Sequence, residues 1–410
     1  MVKKSLLRNY ARLIAKRGVN IQKGQEVIID AALDYAEFVK MLVRVCYQCG
    51  AKKVTVNWSC QELDVLNYRF QSEKTLSKTL PWEEARLQHY VDTLPCRIYL
   101  DGEDPDGLKS VNRKKLASVV SARRKVAKPY RDKMENRHQW CIAAVPGEEW
   151  AKKLFPKTRG SVAQDKLWKR ILSVSRVTEH GDAVAAWKQH NKNLADRCAK
   201  LNSLKIESLH YTAPNGTDFT VGMIPGAVFC GGEEKTVSGV SFNPNIPSEE
   251  CFISPMRGKA EGTVVATMPL CWQGSLIEDF SITFKEGRAV EWHARKNEEL
   301  LGRMINLDEG SAYLGECALV PYESPVRETG MLFYNTLFDE NAACHLALGF
   351  GFPDTIPGYQ DRSQEECHKM GVNDSTLHVD FMIGCRELDI TATCANGETV
   401  QIFKNGTWAF

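Results

Sequence analysis

The chain has 410 residues, 43% hydrophobic and 25% charged, a globular balance that argues against a disordered or membrane-embedded chain and is long enough for two cores. Its formal charge of +2 conceals opposed halves: residues 1–200 hold 39 Lys+Arg against 22 Asp+Glu, a net +17, and residues 201–410 hold 14 against 29, a net −15. With no recognised nucleic-acid motif in the basic half, the asymmetry points to halves that dock on each other, within the chain or across a dimer, and away from nucleic acid as a partner.

The opening M-V-K-K-S-L-L-R-N-Y-A-R-L-I-A-K is cut by charge too often for a signal-peptide core, and Leu6, Leu7, Leu13 and Ile14 recur at helical spacing. Short apolar runs at 25–31, 54–58, 97–100 and 140–145 predict strands. They alternate with helical stretches at 36–49, 108–125 and 168–202. Such alternation implies parallel βαβ units, hence an α/β first domain with a mostly parallel sheet. No G-x-G-x-x-G or Walker loop follows any of these strands, so no nucleotide is indicated. The acidic loop D-G-E-D-P-D-G at 101–107 lies where such sheets bind ligands, although a solvated turn explains it as well. Cys46 and Cys49 form a C-x-x-C inside an apolar helix, with no second pair at zinc-ribbon spacing, and read as packing.

The texture changes near residue 200, which divides the chain into domains 1–200 and 201–410. Short segments at 208–212, 218–221, 262–267, 281–284 and 290–294, punctuated by Gly, Asn and Pro, predict an α+β, mostly antiparallel second domain. One helix is expected at 297–305 and another beginning near Asn341. The closing I-F-K-N-G-T-W-A-F carries an Asn-Gly pair suited to a type I′ hairpin. No apolar run approaches the ~20 residues of a membrane span. Fourteen cysteines without a secretory signal indicate reduced thiols and a cytoplasmic protein.

Metal-ligating residue types gather in the second domain. In N-D-S-T-L-H-V-D-F-M-I-G, His378 and Asp380 lie two apart and share one face of a strand, while Leu377, Val379 and Phe381 face a core. Glu316 falls in the strand-like L-G-E-C-A-L-V-P, where a buried carboxylate needs a partner or a metal. Asp339, Glu340 and Asn341 precede an Ala-rich run read as helical, so capping explains Asp339 or Asn341. It does not explain His345 in A-A-C-H-L-A-L. Glu340 and His345 share a site only if Glu340 stands at the start of that helix. Glu249 or Glu250, in a Pro-rich turn, is a further carboxylate that surface charge explains equally well. Several carboxylates with two imidazoles suffice for two ions, which suggests a binuclear metallohydrolase.

The second half resembles the aminopeptidase T/aminopeptidase S family of metallo-aminopeptidases. The resemblance runs through P-N-G-T-D-F-T-V-G, F-N-P-N-I-P-S-E-E, Y-L-G-E-C-A-L-V-P, L-F-Y-N-T-L-F-D-E-N-A-A-C-H-L-A-L-G, N-D-S-T-L-H-V-D-F-M-I-G and the terminal N-G-T-W-A-F. The first half resembles the family more loosely, through G-Q-E-V-I-I-D-A and V-P-G-E-E-W-A-K-K-L-F-P. The resemblance implies a cytoplasmic homodimer that removes N-terminal residues from peptides with two divalent ions, whether zinc, cobalt, manganese or magnesium. The implied ligands are Glu250, Glu316, Glu340, His345, His378 and Asp380, with Glu316 shared and either Glu316 or Glu340 taking a proton. Seven residues after His345 the family usually has a tyrosine where this chain has Phe352, and G-M-I-P-G-A-V-F-C-G-G lacks an expected histidine and tryptophan. The missing phenol raises an alternative: a weak or silent homologue that binds peptides or keeps the metals structurally. A third reading is an amidase with a differently shaped pocket.

Overall fold

The computed structural model describes residues 2–410. The chain forms two compact units, one comprising the chain up to Lys188 with Glu233–Ile246, the other Gln189–Gly232 with Pro247–Phe410. Among the described residues no helix is long and apolar enough to cross a membrane.

The first unit is built on a parallel sheet in the order Lys53–Ser59, Glu26–Ala32, Cys96–Asp101, Trp140–Ala144, Asn245–Ile246. Three consecutive residues of its second strand, Val27, Ile28 and Ile29, are buried, the mark of a strand covered on both faces. The helix Ala36–Gln48 buries Phe38, Val39, Leu42, Val45 and Cys46, a stripe at helical period. Cys46 is therefore a packing residue, and both it and Cys49 are free thiols. The loop at 101–107 is tied down by a turn from Gly107 N–H to the Asp104 carbonyl and by Lys153 on Asp106 at 2.8 Å.

Sequence periodicity joined 168–202 into one helix, whereas the chain forms two, Gly160–Val174 and Ala183–Ser203. The break falls at S-R-V-T-E-H-G-D, where Arg176 takes a positive φ of 57° and Val177 is buried. The helix expected at 108–125 is Arg113–Met134. Three further helices, Gln61–Phe70, Glu73–Ser77 and Pro81–Thr93, had no expectation; they bury almost nothing, so they carry little periodic signal.

In the second unit, a large antiparallel sheet runs Leu270–Trp272, Ser275–Lys285, Pro255–Val265, Asp218–Met223, Ile206–Thr212, Asp389–Cys394, Thr399–Lys404, Thr407–Trp408, with Arg288–Lys296 paired to Ser275–Lys285. Asn405 and Gly406 both have positive φ, 51° and 75°, as a type I′ turn requires. A four-stranded antiparallel sheet is ordered Cys251–Ile253, Leu314–Leu319, His345–Gly349, His378–Met382. Cys317, Leu319, Leu346, Leu348 and Phe381 of this smaller sheet join one apolar core with Leu209, Tyr211, Phe219, Ile282 and Phe403 of the larger. One face of the small sheet is thus spent on the core, and its other face carries the polar residues.

The helix expected to begin near Asn341 is absent. Glu340–Ala342 is a single 3-10 turn, and A-A-C-H-L-A-L enters the strand His345–Gly349, all five residues of which are buried. Burial on both faces erases the alternation that would have marked it as a strand.

Candidate metal centre

Strand pairing decides which side chains meet. Glu316, Ala347 and Asp380 are partners across three adjacent strands, so they form a row on one face of the small sheet. One step along, His345 pairs with Ala318 and Met382; on the other side Gly349 pairs with His378. The middle strand thus presents His345, then alanine, then glycine, which leaves space between Glu316 and Asp380. Gly349 has φ +102°, and a Cβ there would stand 2.1 Å from the Leu377 carbonyl. Only glycine fits this contact beside the His378 strand. Glu250 comes from the residue before the outer strand Cys251–Ile253, and Glu340 from the turn that precedes His345.

Ligand atoms of Glu250, Glu316 and His345 lie within 4.8 Å of one another, and so do those of Glu316, His378 and Asp380. Glu316 belongs to both groups. Glu340 belongs to neither, although its carboxyl feels Asp380, Glu250 and Glu316. His345 Nε2 is 3.2 Å from Glu250 Oε2, and His378 Nε2 is 3.3 Å from both Glu316 Oε2 and Asp380 Oδ1. Each imidazole is oriented from behind. His345 Nδ1 lies 3.1 Å from the Ala343 carbonyl and His378 Nδ1 2.7 Å from the Phe350 carbonyl. A carbonyl only accepts, so Nδ1 carries the hydrogen and Nε2 is directed at the carboxylates.

Glu250, Glu316, His345 and Asp380 are all buried. Burial raises the Glu316 carboxyl to about 7, with Glu250 and Asp380 pushing the same way against His378. Glu340 is driven well above the carboxylate range by burial first, then by Asp380 and Glu250. Burial works to lower His345, yet the bond to Glu250 and the surrounding carboxylates outweigh it and hold the imidazole at about 10. His378 is likewise raised against its burial by Asp380 and Glu316. Asp380 is lowered because His378 overcomes the effect of burial. Four carboxylates in one apolar setting require positive charge.

Divalent cations fit this donor set. The donors are carboxylate oxygen and imidazole nitrogen, which hard and borderline dications take. Asp380 Oδ1 is buried without a well-aligned hydrogen bond. Cys317 and Cys344, which neighbour two of the acidic and imidazole residues in sequence, turn to the core instead. Burial pushes both thiols up to about 12, and Cys317 Sγ meets Tyr211 Oη at 2.8 Å, so neither supplies a thiolate. Phe352 lies against His378, with ring centroids 4.7 Å apart, and next to Phe252 and Phe350.

Sequence reasoning missed the Ala343 and Phe350 carbonyls, which carry no side-chain signal, and the space created by Ala347 and Gly349. Sequence reasoning also offers capping for Asp339 or Asn341, whereas the Asn341 side chain is fully buried beside Glu340.

A profile of the family described as thermophilic metalloprotease (M29) matches residues 3–408. Aminopeptidase 2 of Geobacillus stearothermophilus is 39% identical to this chain over 405 residues, 98% of each chain. Aminopeptidase AmpS of Bacillus subtilis (strain 168) is 38% identical over the same length and coverage. Among solved structures, wild-type AmpT from Thermus thermophilus is similar with a TM-score of 0.90 and 35% identity, covering 99% of this chain and 100% of its own.

Proposed function

The chain belongs to the thermophilic metalloprotease (M29) family and is a metallo-aminopeptidase, and from that premise we propose that it releases N-terminal amino acids from peptides at a centre for two divalent ions. The observation that carries the reading is the sharing of Glu316 between two ligand groups, Glu250–His345 on one side and His378–Asp380 on the other. When bound, two such ions supply a strongly nucleophilic water and polarise the scissile carbonyl. Zinc, cobalt, manganese and magnesium all accept these donors.

The residues divide the remaining work. Glu316 would serve both positions, and the two imidazoles, fixed by backbone carbonyls, would complete one position each. Glu340 lies outside both groups, and burial and the neighbouring carboxylates raise its proton affinity; in its ionised form it would take a proton from the nucleophile and then return it to the leaving amine. The negative second half of the chain favours a substrate's cationic α-amino group. No disulfide joins the cysteines among the described residues, which supports a reducing, cytoplasmic setting, and the opposed charges of the two halves fit docking within the chain or between two copies.

The test is release of amino acids from short peptides by the metal-loaded chain. His378→Ala and Glu316→Ala each abolish it while circular dichroism shows a folded protein; near-normal turnover in either folded, metal-saturated variant overturns the assignment. One observation favours a second reading. Phe352, which has no hydroxyl, packs on His378 where a phenol would meet the centre. Two bound ions with no turnover on a broad peptide panel would identify a silent, peptide-binding homologue.

A further inference from the structure

Glu250 and Glu340 come from segments far apart in sequence, yet one side chain ties both down. Asn341 is fully buried. Its Oδ1 accepts the backbone N–H of Glu249 at 2.6 Å, and its Nδ2 donates to the Leu337 carbonyl at 3.0 Å and to Glu340 Oε1 at 3.4 Å. Its own carbonyl accepts the Ser324 hydroxyl. The acceptor half of the amide thus fixes the peptide next to Glu250, and the donor half engages one oxygen of Glu340 and leaves the other for chemistry.

We propose that Asn341 is the positioning residue that couples Glu250 to Glu340, its two amide halves aligning one carboxylate each. The inference rests on the functional reading above. A carboxamide is the group this requires, because both an acceptor and a donor are needed at one branch point. The Ser324 bond serves as an internal contrast: it reaches Asn341 only through the main chain and orients neither carboxylate.

The experiment titrates metal-stripped protein with Zn²⁺ or Mn²⁺ by calorimetry, beside peptide kinetics and circular dichroism. Loss of a group that orients a ligand typically costs ~10–100-fold in metal affinity. Asn341→Ala is expected to lose that much in the folded state, while Ser324→Ala stays within about threefold of wild type. Asn341→Asp keeps the acceptor for Glu249 but puts an acceptor where Asn341 donates to Glu340. It is expected to retain its ions and lose at least about tenfold in kcat with little change in KM, the sign of an interaction made in the transition state. This isosteric variant also keeps the inference testable if the alanine variant does not fold. Wild-type metal affinity in folded Asn341→Ala, equal loss in Ser324→Ala, or wild-type kcat in Asn341→Asp overturns the inference alone. A wild-type chain that binds no dication overturns the underlying reading as well.

Discussion

Replacing Phe352 by tyrosine adds one hydroxyl beside the metal centre and little else. The Phe352 ring stands 4.7 Å from the His378 ring at 49°, with Phe252 at 5.7 Å and Phe350 at 6.1 Å on its other sides. The ring is only half-buried, so a new hydroxyl keeps some water and cannot act as strongly as a donor in a dry pocket. Loss of one oxyanion donor typically costs ~10²–10³ in turnover, and the half-buried setting places the gain at the lower end or beneath it. A rise of about 10–100-fold in kcat, or about 1.4–2.7 kcal/mol, is therefore expected. Because the hydroxyl acts on charge that develops in the transition state, KM should stay within about threefold. Steady-state hydrolysis of a panel of aminoacyl substrates, with each metal in turn, measures both constants. Unchanged kcat in Phe352→Tyr, with unchanged rates in Tyr334→Phe and Tyr359→Phe, would refute the reasoning by showing that no phenol is needed.

Metal uptake should release protons. At neutral pH the folded protein holds protons on His345, kept at about 10, and on His378, raised well above the usual imidazole range by Asp380 and Glu316, and partly on Glu316, raised to about 7, so filling the site displaces about two to three protons and binding tightens as pH rises. Calorimetry in buffers of different ionisation enthalpy reads this directly, and buffer-independent heats contradict it. Ala347→Val drives methyl groups into the row between Glu316 and Asp380. It should weaken metal binding and cost about 1–3 kcal/mol of stability, read by titration and thermal melts. Gly349→Ala forces a side chain into φ +102° and against the Leu377 carbonyl. It should cost about 1–3 kcal/mol in the melt and disturb His378 across the pair; a wild-type melting temperature contradicts this.

Much of the small sheet's polar face was legible because strand alternation is local. His378-x-Asp380 announces a polar face and an apolar face in five residues, and Glu316 sits in an equally clear run. His345 was legible as an anomaly but misassigned to a helix. Alanine and leucine are strong helix formers, and a strand buried on both faces has no alternation to oppose them. What placed the alanines in a strand is tertiary: the pairing of Ala347 with Glu316 and Asp380, which no local window contains. The same limit hid the separation of Glu340 from the two ligand groups, since five residues of spacing to His345 admit many geometries. In the first unit, the strand Asn245–Ile246 is two residues long and pairs with Trp140–Ala144 across a hundred positions, beyond any periodic signal.

The sharing of Glu316 is tested most directly by counting ions. Wild type, Glu250→Gln, Asp380→Asn and Glu316→Gln would be dialysed against micromolar Zn²⁺ or Mn²⁺ and analysed by mass spectrometry for metal per folded chain. The expected result is two ions in wild type, one in each of the two outer variants, and none retained by Glu316→Gln. A single ion in wild type, or two ions still held by Glu316→Gln, would contradict a carboxylate common to both positions.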